Sequence, residues 1–308
     1  MKWIKKGLIF KPEGQFDWCV THAMLPVADR VGDDLYRIYF SGRDISNRSL
    51  IGYIEVNINE PQNIIRISEE PILGLGKLGT FDDNGVSPTW LINYNGKKYL
   101  YYMGWNKGST VRASEVSGLA ISDDNGETFE RVSQAPILHR TNSEPYGILV
   151  LSCILIEGNK WRMWYDSADY WIDKDLPHYN IKYAESGKRE KGINWLRKGL
   201  VSVDFQYPDE TRVSRACVMK ENGIYRMWYC YALGRGGYRM GYAESKSGIQ
   251  YIRKDEEVGI NVSESGWDSE MLCYPFVFNH KGKKYMLYCG NGYGKTGFGY
   301  AILEEGIK

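Results

Sequence analysis

An internal repeat is the feature that most constrains how this chain folds. Residues 161–165 read WRMWY, and residues 225–229 read YRMWY. Weaker copies begin at Tyr36, Tyr99 and Tyr285, so the unit recurs about every 60 residues. Five such units account for essentially all 308 residues, and self-similarity at a fixed period indicates a repeat architecture. We therefore expect one closed body that is built from five modules.

Each unit has the pattern of four short β-strands. The aromatic strand is entered through tight turns such as Asn95-Gly96 and Asn222-Gly223, which are hairpin signals between alternating runs. Aromatic residues make up 14% of the chain and 34 glycines separate the short segments, as is typical of β-proteins with many turns. No stretch shows a sustained helical period, so little helix is expected. The predicted fold class is all-β, a five-bladed β-propeller of four-stranded antiparallel blades.

The two ends of the chain complement each other in this scheme. The last unit stops after its third strand, whereas residues 3–10 match residues 195–202, which have the pattern of a fourth strand. We therefore predict that the N-terminal strand completes the last blade and removes an open sheet edge. A single propeller domain is expected over residues 1–308. Its predicted blades are residues 16–73, 80–138, 143–203, 209–262, and 267–303 together with 3–10.

Charge and cysteine content exclude several classes of function. The formal charge is +1 with basic and acidic residues interspersed, so no nucleic-acid partner is expected. No apolar run has the length of a membrane span or of a signal-peptide core, so no membrane insertion and a cytoplasmic location are predicted. Six cysteines without CxxC spacing predict reduced core thiols. The four scattered histidines predict no metal site, and no cofactor is expected.

The segments that lead into the five first strands are polar and acidic. In a propeller these leaders converge on one central funnel. Single acidic turns are common on protein surfaces, but every leader here carries at least one carboxylate at the same phase of the repeat. This regularity predicts a shared acidic and polar funnel. The candidate residues in the leaders are Asp17, His22, Asp83, Glu144, Glu210, Arg212, Arg215 and Glu270.

Two further segments carry a resemblance to a known family. They are residues 242–248, which read YAESKSG, and the leader Trp267-Asp268-Ser269-Glu270. With the repeat, they make the whole chain similar to the five-bladed propeller glycoside hydrolases and their relatives, which include arabinanase, invertase and mannoside-phosphorylase types. The chain looks like uncharacterised bacterial members that are found with polysaccharide genes. The resemblance implies a carbohydrate-active enzyme that acts on a glycosidic bond in the funnel.

The same resemblance implies which carboxylates perform the chemistry. The family typically places a base or nucleophile Asp in the first blade, a supporting Asp in the second and a general-acid Glu in the third. Cleavage needs two carboxyl groups because one protonates the leaving oxygen while the other attacks or activates water. Asp83 and Glu144 match the supporting and acid positions, and Glu270 is a reserve. His22 stands where the first-blade Asp is expected, and Asp17 lies several residues upstream, which departs from a standard hydrolytic set.

Positively charged side chains suggest an alternative reaction. Arg43, Arg212 and Arg215 are placed to face the funnel, and guanidinium groups bind carboxylate or phosphate bidentately. They favour a carbohydrate or sugar-phosphate ligand and, as an alternative function, a glycoside phosphorylase or glycosyltransferase. In a further alternative each Arg pairs with a carboxylate between blades, and the propeller binds carbohydrate without catalysis. Further substrate contacts are predicted for Asp17, His22, Asp166, Tyr170 and Glu210.

Overall fold

The computed structural model describes residues 1–187 and 192–304. Residues 188–191, which belong to the third predicted blade, lie outside the described residues. The described chain is nearly all β, as predicted. The strands are β1 (Trp3–Phe10), β2 (Thr21–Arg30), β3 (Leu35–Arg43), β4 (Ser49–Asn57), β5 (Ile64–Ile67), β6 (Val86–Tyr94), β7 (Lys97–Lys107), β8 (Ala113–Ser122), β9 (Glu130–Arg131), β10 (Ile148–Glu157), β11 (Lys160–Asp173), β12 (Leu176–Gly187), β13 (Leu196–Val203), β14 (Glu210–Glu221), β15 (Ile224–Leu233), β16 (Arg239–Ser245), β17 (Ile252–Arg253), β18 (Cys273–His280), β19 (Lys283–Cys289) and β20 (Phe298–Leu303). The helical elements of the described residues are α1 (Asn291–Gly294) and a short 3-10 turn (Asp255–Glu257).

The strands pair antiparallel in chain order. β2 to β5 form one four-stranded sheet, and the runs β6 to β9, β10 to β13 and β14 to β17 pair in the same way. Short parallel contacts join β8 to β10 and β12 to β14. The first strands β2, β6, β10, β14 and β18 each contact the next, and β18 contacts β2. Their contacts therefore close into a ring.

Tight turns of the predicted kind join the strands of two hairpins. Asn95 and Gly96 have φ of 51° and 75°, and Asn222 and Gly223 have φ of 51° and 78°. Positive φ at both central residues is the geometry of a type I′ turn, whose twist matches that of the flanking strands. These turns link β6 to β7 and β14 to β15, which confirms the two hairpins.

The N-terminal strand completes the last sheet, as the sequence predicts. β1 pairs antiparallel with β20, from Trp3 opposite Leu303 to Phe10 opposite Phe298. The sheet order is β1, β20, β19, β18. The Trp3 ring also packs edge-on against Trp228, with ring centroids 6.1 Å apart. The edge of β20 is thereby covered, and the two ends of the chain are joined.

The repeated aromatic strand forms much of the core. Trp161, Trp164 and Trp228 are fully buried, and so are Tyr165 and Tyr229. Their rings pack with aliphatic side chains from neighbouring runs of strands. Because each ring buries a large apolar area, the segment that sets the period of the sequence also supplies much of the hydrophobic stabilisation.

The six cysteines are free and buried, which confirms the prediction of core thiols. Within the described residues, no group of three or more His, Cys, Asp or Glu side chains is arranged to hold a metal ion. No helix in residues 1–187 and 192–304 has the length and apolar character that crossing a bilayer requires.

A β-bulge interrupts each first strand at the same phase of the repeat. The register shifts lie between Met24 and Val27, Pro88 and Trp90, Leu151 and Cys153, Ser214 and Cys217, and Cys273 and Phe276. Within these bulges Leu25, Arg215 and Tyr274 have φ of 54°, 60° and 59°. Positive φ is uncommon for residues other than glycine, and bulges beside functional sites re-aim side chains. All three of these side chains line one cavity.

Candidate functional site

One cavity of about 560 Å³ is lined by side chains from all the antiparallel runs. The bulged first strands supply Leu25, Ser87, Val150, Arg215 and Tyr274. The charged residues of its wall are Arg43, Lys107, Arg112, Glu115, Asp166, Arg212 and Arg215. Five cationic side chains therefore face two carboxyl groups, although the formal charge of the whole chain is only +1.

Asp166 is the most buried carboxyl group of the cavity. It follows the aromatic segment of β11 and is 6% exposed. Its Oδ1 accepts hydrogen bonds from the Ser152 hydroxyl and from the Arg215 backbone N–H, each at 3.1 Å. Burial outweighs these hydrogen bonds and raises the pKa of Asp166 to about 7, and the carboxylate of Glu115 adds to the rise. The side chain therefore keeps its proton to near neutral pH while it faces the cavity.

Glu115 is the second carboxyl group of the cavity wall. The short parallel contact places it on β8 opposite Ile148 of β10, and its backbone N–H donates to the Gly147 carbonyl at 2.6 Å. Its side chain is 24% exposed and lies 3.8 Å from the Arg112 guanidinium. The two carboxyl groups thus share one cavity but differ in burial, and their Coulombic interaction favours the neutral form of Asp166.

Arg212 is buried in the cavity wall and forms no ion pair with any residue that the structure describes. Its guanidinium donates to the carbonyls of Gly234 and Gly236 at 3.2 Å and 2.8 Å and to the Tyr293 hydroxyl at 3.2 Å. It also lies 5.1 Å from the ring centroid of Tyr238. The Nε has no hydrogen-bond partner among the described residues. All of these acceptors are neutral, so no described carboxylate neutralises the guanidinium.

Two further arginines of the cavity, Arg215 and Arg43, also have a guanidinium nitrogen without a hydrogen-bond partner among the described residues. Arg215 is 3% exposed; its Nη1 donates to the Thr89 carbonyl, and its Nη2 has no partner in the described part of the chain. Arg43 donates to the Asn47 side-chain oxygen at 2.9 Å, and its buried Nε is likewise unpartnered there. The sequence left open whether these arginines pair with carboxylates. In residues 1–187 and 192–304, neither arginine forms an ion pair.

Aromatic side chains cover part of the cavity wall. Tyr179, Tyr238, Tyr274 and Tyr293 line it together with Trp105. Tyr238 packs edge-on against Tyr293 with centroids 5.9 Å apart, and its hydroxyl is hydrogen-bonded to that of Tyr179. Burial raises the pKa of Tyr179, so its hydroxyl stays neutral. Rings with an apolar face and a polar edge suit a ligand that presents both C–H and O–H groups.

Glu144, the predicted general acid, is not part of the cavity lining. Its Oε1 accepts hydrogen bonds from the hydroxyls of Tyr165 and Ser167, each at 2.8 Å, and its Oε2 pairs with Arg197 at 2.8 Å. The residue is 4% exposed. The carboxylate is therefore neutralised, and it ties the segment before β10 to β11 and β13.

The other predicted leader carboxylates are also absent from the cavity lining. Asp83 accepts a hydrogen bond from the Asn106 side-chain amide at 2.5 Å. Glu210 is buried in an ion pair with Arg253 at 2.8 Å. The remaining two are exposed, namely Asp17 and Glu270. The structure therefore does not gather the acidic leaders around the cavity, because local hydrogen bonds and ion pairs hold two of them elsewhere.

His22 lies close to the cavity without belonging to its lining. Its Nδ1 is 2.9 Å from the Thr21 hydroxyl. Burial, together with the charges of Arg43 and Lys295, lowers the pKa of His22 to about 4. The imidazole is therefore neutral at physiological pH and adds no positive charge beside Arg43.

Tyr170 lies in β11, opposite His178 of β12, and is not part of the cavity lining. It is 44% exposed and stacks on His178, with ring centroids 4.4 Å apart. The two rings line a separate surface pocket with Asp209. The neighbouring Trp171 packs beside Tyr179, whose ring lines the cavity. Trp171 thus packs behind the cavity wall, whereas Tyr170, a predicted substrate contact, lines the outer pocket.

The sequence did not single out Glu115, Arg112 or the cavity tyrosines. Glu115 comes three residues before Gly118, the glycine that marks the third strand of its unit. The repeat therefore carries a signal near the start of the third strand as well as in the leaders of the first strands. Asp166, which comes directly after the repeated aromatic segment, was predicted as a substrate contact and not as a catalytic group.

Two mycobacterial proteins are similar to this chain over its length. The uncharacterized protein MT1551 of Mycobacterium tuberculosis (strain CDC 1551 / Oshkosh) is 41% identical over 308 residues, which cover 99% of this chain and 100% of that protein. The uncharacterized protein Rv1502 of Mycobacterium tuberculosis (strain ATCC 25618 / H37Rv) has the same identity and coverage. No family model matches the chain.

Solved structures of glycoside hydrolases are similar to this one. A glycoside hydrolase superposes with a TM-score of 0.73 at 17% identity, over 99% of this chain and 94% of that chain. A thermostable family-43 glycoside hydrolase gives 0.68 at 16% identity, over 93% and 92%. The α-L-arabinofuranosidase PaAbf62A from Podospora anserina, in complex with cellotriose, gives 0.66 at 10% identity, over 98% and 95%. The fold is therefore that of the propeller-type glycoside hydrolases, as the sequence predicted.

Proposed function

This chain belongs to one family with the mycobacterial proteins MT1551 and Rv1502, and we propose that it is a carbohydrate-active enzyme that acts on a glycosidic bond in the cavity. The observation that carries the proposal is the pair of carboxyl groups in that cavity. Asp166 is buried with a pKa raised to about 7, whereas Glu115 is more accessible. Two carboxyl groups in different environments are what glycosidic cleavage requires. The glycoside hydrolase fold supports the same reaction class.

In the proposed reaction Asp166 is the general acid. Its carboxyl proton passes to the glycosidic oxygen as the bond between that oxygen and the anomeric carbon breaks. Glu115 either takes a proton from the water that attacks the anomeric carbon or attacks that carbon itself. In the second case water then breaks the ester bond between Glu115 and the sugar and gives its proton to the Asp166 carboxylate. A pKa near the working pH suits an acid that must be protonated before the reaction and ionised after it.

We further propose that the runs of strands are the blades of a single five-bladed propeller domain and that the cavity is its central funnel. The closed ring of contacts among β2, β6, β10, β14 and β18 supports five blades. The pairing of β1 with β20 supplies the fourth strand of the last one. Residues from every first strand line the cavity, as a central position requires.

The proposal moves the catalytic roles away from the residues that the family resemblance selected. Glu144 already pairs with Arg197, and Asp83 is hydrogen-bonded to Asn106, so both carboxylates are engaged outside the cavity lining. Glu270 is exposed and is also not part of that lining. Catalytic roles for these three residues stay predictions from the sequence. The burial of Asp166 in the cavity wall makes it the stronger candidate.

A phosphorylase or glycosyltransferase is the second candidate function. The observation in its favour is that Arg43, Arg212 and Arg215 form no ion pair within the described residues, so they are available to an anionic co-substrate. Such an enzyme uses one protein acid, which is again Asp166. A propeller that binds carbohydrate without catalysis is the competing proposal from another class. The closed ion pairs of Glu144 and Glu210 favour it.

An assay of product formation tests the proposal. The full chain is incubated with a panel of aryl glycosides and oligosaccharides, with and without inorganic phosphate, and new reducing ends and sugar 1-phosphates are measured. We expect Asp166→Asn and Glu115→Gln to lower turnover about 10²-fold to 10⁴-fold, as loss of an acid or base does. The control Glu185→Gln alters a half-exposed pair with Lys160 that is not part of the cavity lining, and its turnover should stay near wild type.

The outcomes of this assay separate the candidates. Reducing ends that do not depend on phosphate support hydrolysis, whereas sugar 1-phosphates that form only with phosphate support phosphorolysis. A wild type that binds saccharides but turns over none of them supports the binding propeller. Full activity in both cavity variants contradicts the assignment of Asp166 and Glu115.

A further inference from the structure

The cavity is lined by more cationic than acidic side chains, and the proposed carboxyl chemistry does not require this excess of positive charge. Five cationic side chains line it against two carboxyl groups, and one of these two, Asp166, is protonated below about pH 7. Arg212 and Arg215 are buried and Arg43 is half-buried, whereas Lys107 and Arg112 are exposed. A saccharide without charge gains little from the three cations that are buried or half-buried. Unpaired cations in a wall of low dielectric constant favour an anionic ligand, because burial makes each unpaired charge costly.

The hydrogen bonds of Arg212 leave its charge available to a ligand. The carbonyls of Gly234 and Gly236 and the Tyr293 hydroxyl fix the orientation of its guanidinium. None of them carries a negative charge, and the buried Nε has no partner in the described chain. A guanidinium that is already held in place loses less conformational entropy when it binds a ligand.

Arg43 and Arg112 bring two more guanidinium groups to the same part of the cavity. Arg112 and Arg212 share Tyr179, Tyr238 and Tyr293 as electrostatic neighbours. Arg43 and Arg112 repel each other, and Glu115 is the carboxylate that acts on both of them. One carboxylate, that of Glu115, therefore offsets the charge of two of these three guanidinium groups. The three groups together keep a net positive charge that can attract an oxyanion.

We propose that the cavity binds a saccharide that carries an oxyanion, a phosphate or a carboxylate, and that Arg212 and Arg43 hold this group. The inference rests on the proposed function in that the ligand is a sugar. Planar guanidinium groups present paired N–H donors that match the oxygens of phosphate and carboxylate. The tyrosines of the wall then face the sugar ring, and Asp166 and Glu115 face the bond that reacts.

Calorimetric titration of the full chain tests the proposal with four probes: inorganic phosphate, D-glucose 1-phosphate, D-glucuronate and D-glucose. We expect the charged sugars to bind and D-glucose to bind at least about tenfold more weakly. Arg212→Gln and Arg43→Gln should each weaken binding of the charged sugars about 10-fold to 100-fold. The control Arg66→Gln removes the same charge from an exposed pair with Glu127 and should leave affinity within about twofold.

The source of the oxyanion follows from the same titrations. If inorganic phosphate binds as tightly as D-glucose 1-phosphate, the anion is a free co-substrate, and the claim that the saccharide carries it is overturned. If charged sugars bind more tightly than phosphate, the claim is supported. Because Arg212 is buried and its variant could misfold, Arg43→Gln provides a test at a half-exposed position. Absence of oxyanion binding at about 10 mM, or binding unchanged in both variants, overturns the proposal.

Asp166→Asn distinguishes failure of this inference from failure of the proposed function. The variant lacks the acid but keeps all the arginines, so it should bind the charged sugars with at least wild-type affinity. If it does, and the wild type turns over no glycoside, the oxyanion site stands and the enzymatic proposal fails. If turnover occurs but does not depend on the charge of the saccharide or on Arg43, the oxyanion site alone fails.

Discussion

The Asp166 carboxylate accepts a hydrogen bond from the backbone N–H of Arg215 at 3.1 Å. The contact joins the middle of β11 to the bulge of β14, where Arg215 has φ of 60°. It is the backbone of Arg215 that meets the carboxylate, because its guanidinium donates to the Thr89 carbonyl. Asp166 is consequently buried without an ion pair in the described chain. The raised pKa on which the proposed chemistry depends follows from this arrangement.

The first prediction concerns the pH dependence of turnover. Because burial raises the pKa of Asp166 to about 7, the acid form is present below that pH and is lost above it. For any accepted glycoside, kcat/KM should fall about tenfold per pH unit above about pH 7. Measurement of kcat/KM from pH 5 to pH 9 checks this. A plateau that continues to pH 9 would exclude Asp166 as the acid.

The second prediction concerns stability. The folded pKa of Asp166 is raised from 3.8 to about 7, so the folded state binds a proton that the unfolded state releases. This stabilisation is fully present below about pH 4 and is lost as pH rises through about 7, an effect of roughly 4 kcal/mol. Asp166→Asn should remove this pH dependence, because the amide does not titrate. The difference in unfolding free energy between variant and wild type should therefore shift in favour of the variant from pH 4 to pH 8 in urea titrations. A constant difference would contradict the raised pKa.

The third prediction separates structure from catalysis at Glu144. Glu144→Gln leaves the Arg197 guanidinium without its buried carboxylate, and loss of one partner of a buried pair costs about 3–5 kcal/mol. The control Glu304→Gln alters an exposed pair with Lys2 and should cost less than about 1 kcal/mol. Urea unfolding measures both. Equal stability of the two variants would show that the Glu144 pair is not structural.

The fourth prediction tests the joining of the chain ends. Trp3 is 5% exposed and packs on Trp228, so Trp3→Ala should lower the unfolding free energy by about 3–5 kcal/mol. Lys6→Ala on the same strand changes an exposed side chain and should have little effect. Thermal unfolding of both variants gives the comparison. A Trp3→Ala protein as stable as Lys6→Ala would argue against a packed N-terminal strand.

The fold was predictable because its signals are local and repeated. The copies at residues 161–165 and 225–229 set the period, and the match of residues 3–10 to residues 195–202 located the missing strand. Each of these inferences needed only a comparison of the chain with itself. The structure accordingly agrees on the strands, the two hairpins and the pairing of β1 with β20.

The site was less predictable because its chemistry depends on contacts between distant residues. Glu144 was selected by resemblance, but its partner Arg197 lies 53 positions along the chain. Asp166 gains its raised pKa from burial and from a bulge at Arg215, 49 positions away. The first contact depends on how the segment before β10 packs against β13, and the second depends on how β11 packs against β14. The sequence pattern fixes the order of the strands but not the side chains that meet between them.

The proposed reaction requires Asp166 as the acid, and one measurement tests this role most directly. It compares kcat/KM of Asp166→Asn and Glu144→Gln at pH 6 on a glycoside that the wild type turns over, each corrected for the folded fraction. We predict a loss of about 10²-fold or more for Asp166→Asn and a loss of less than about tenfold for Glu144→Gln. The reverse order, with Glu144→Gln inactive and Asp166→Asn active, would contradict the role of Asp166 as the acid.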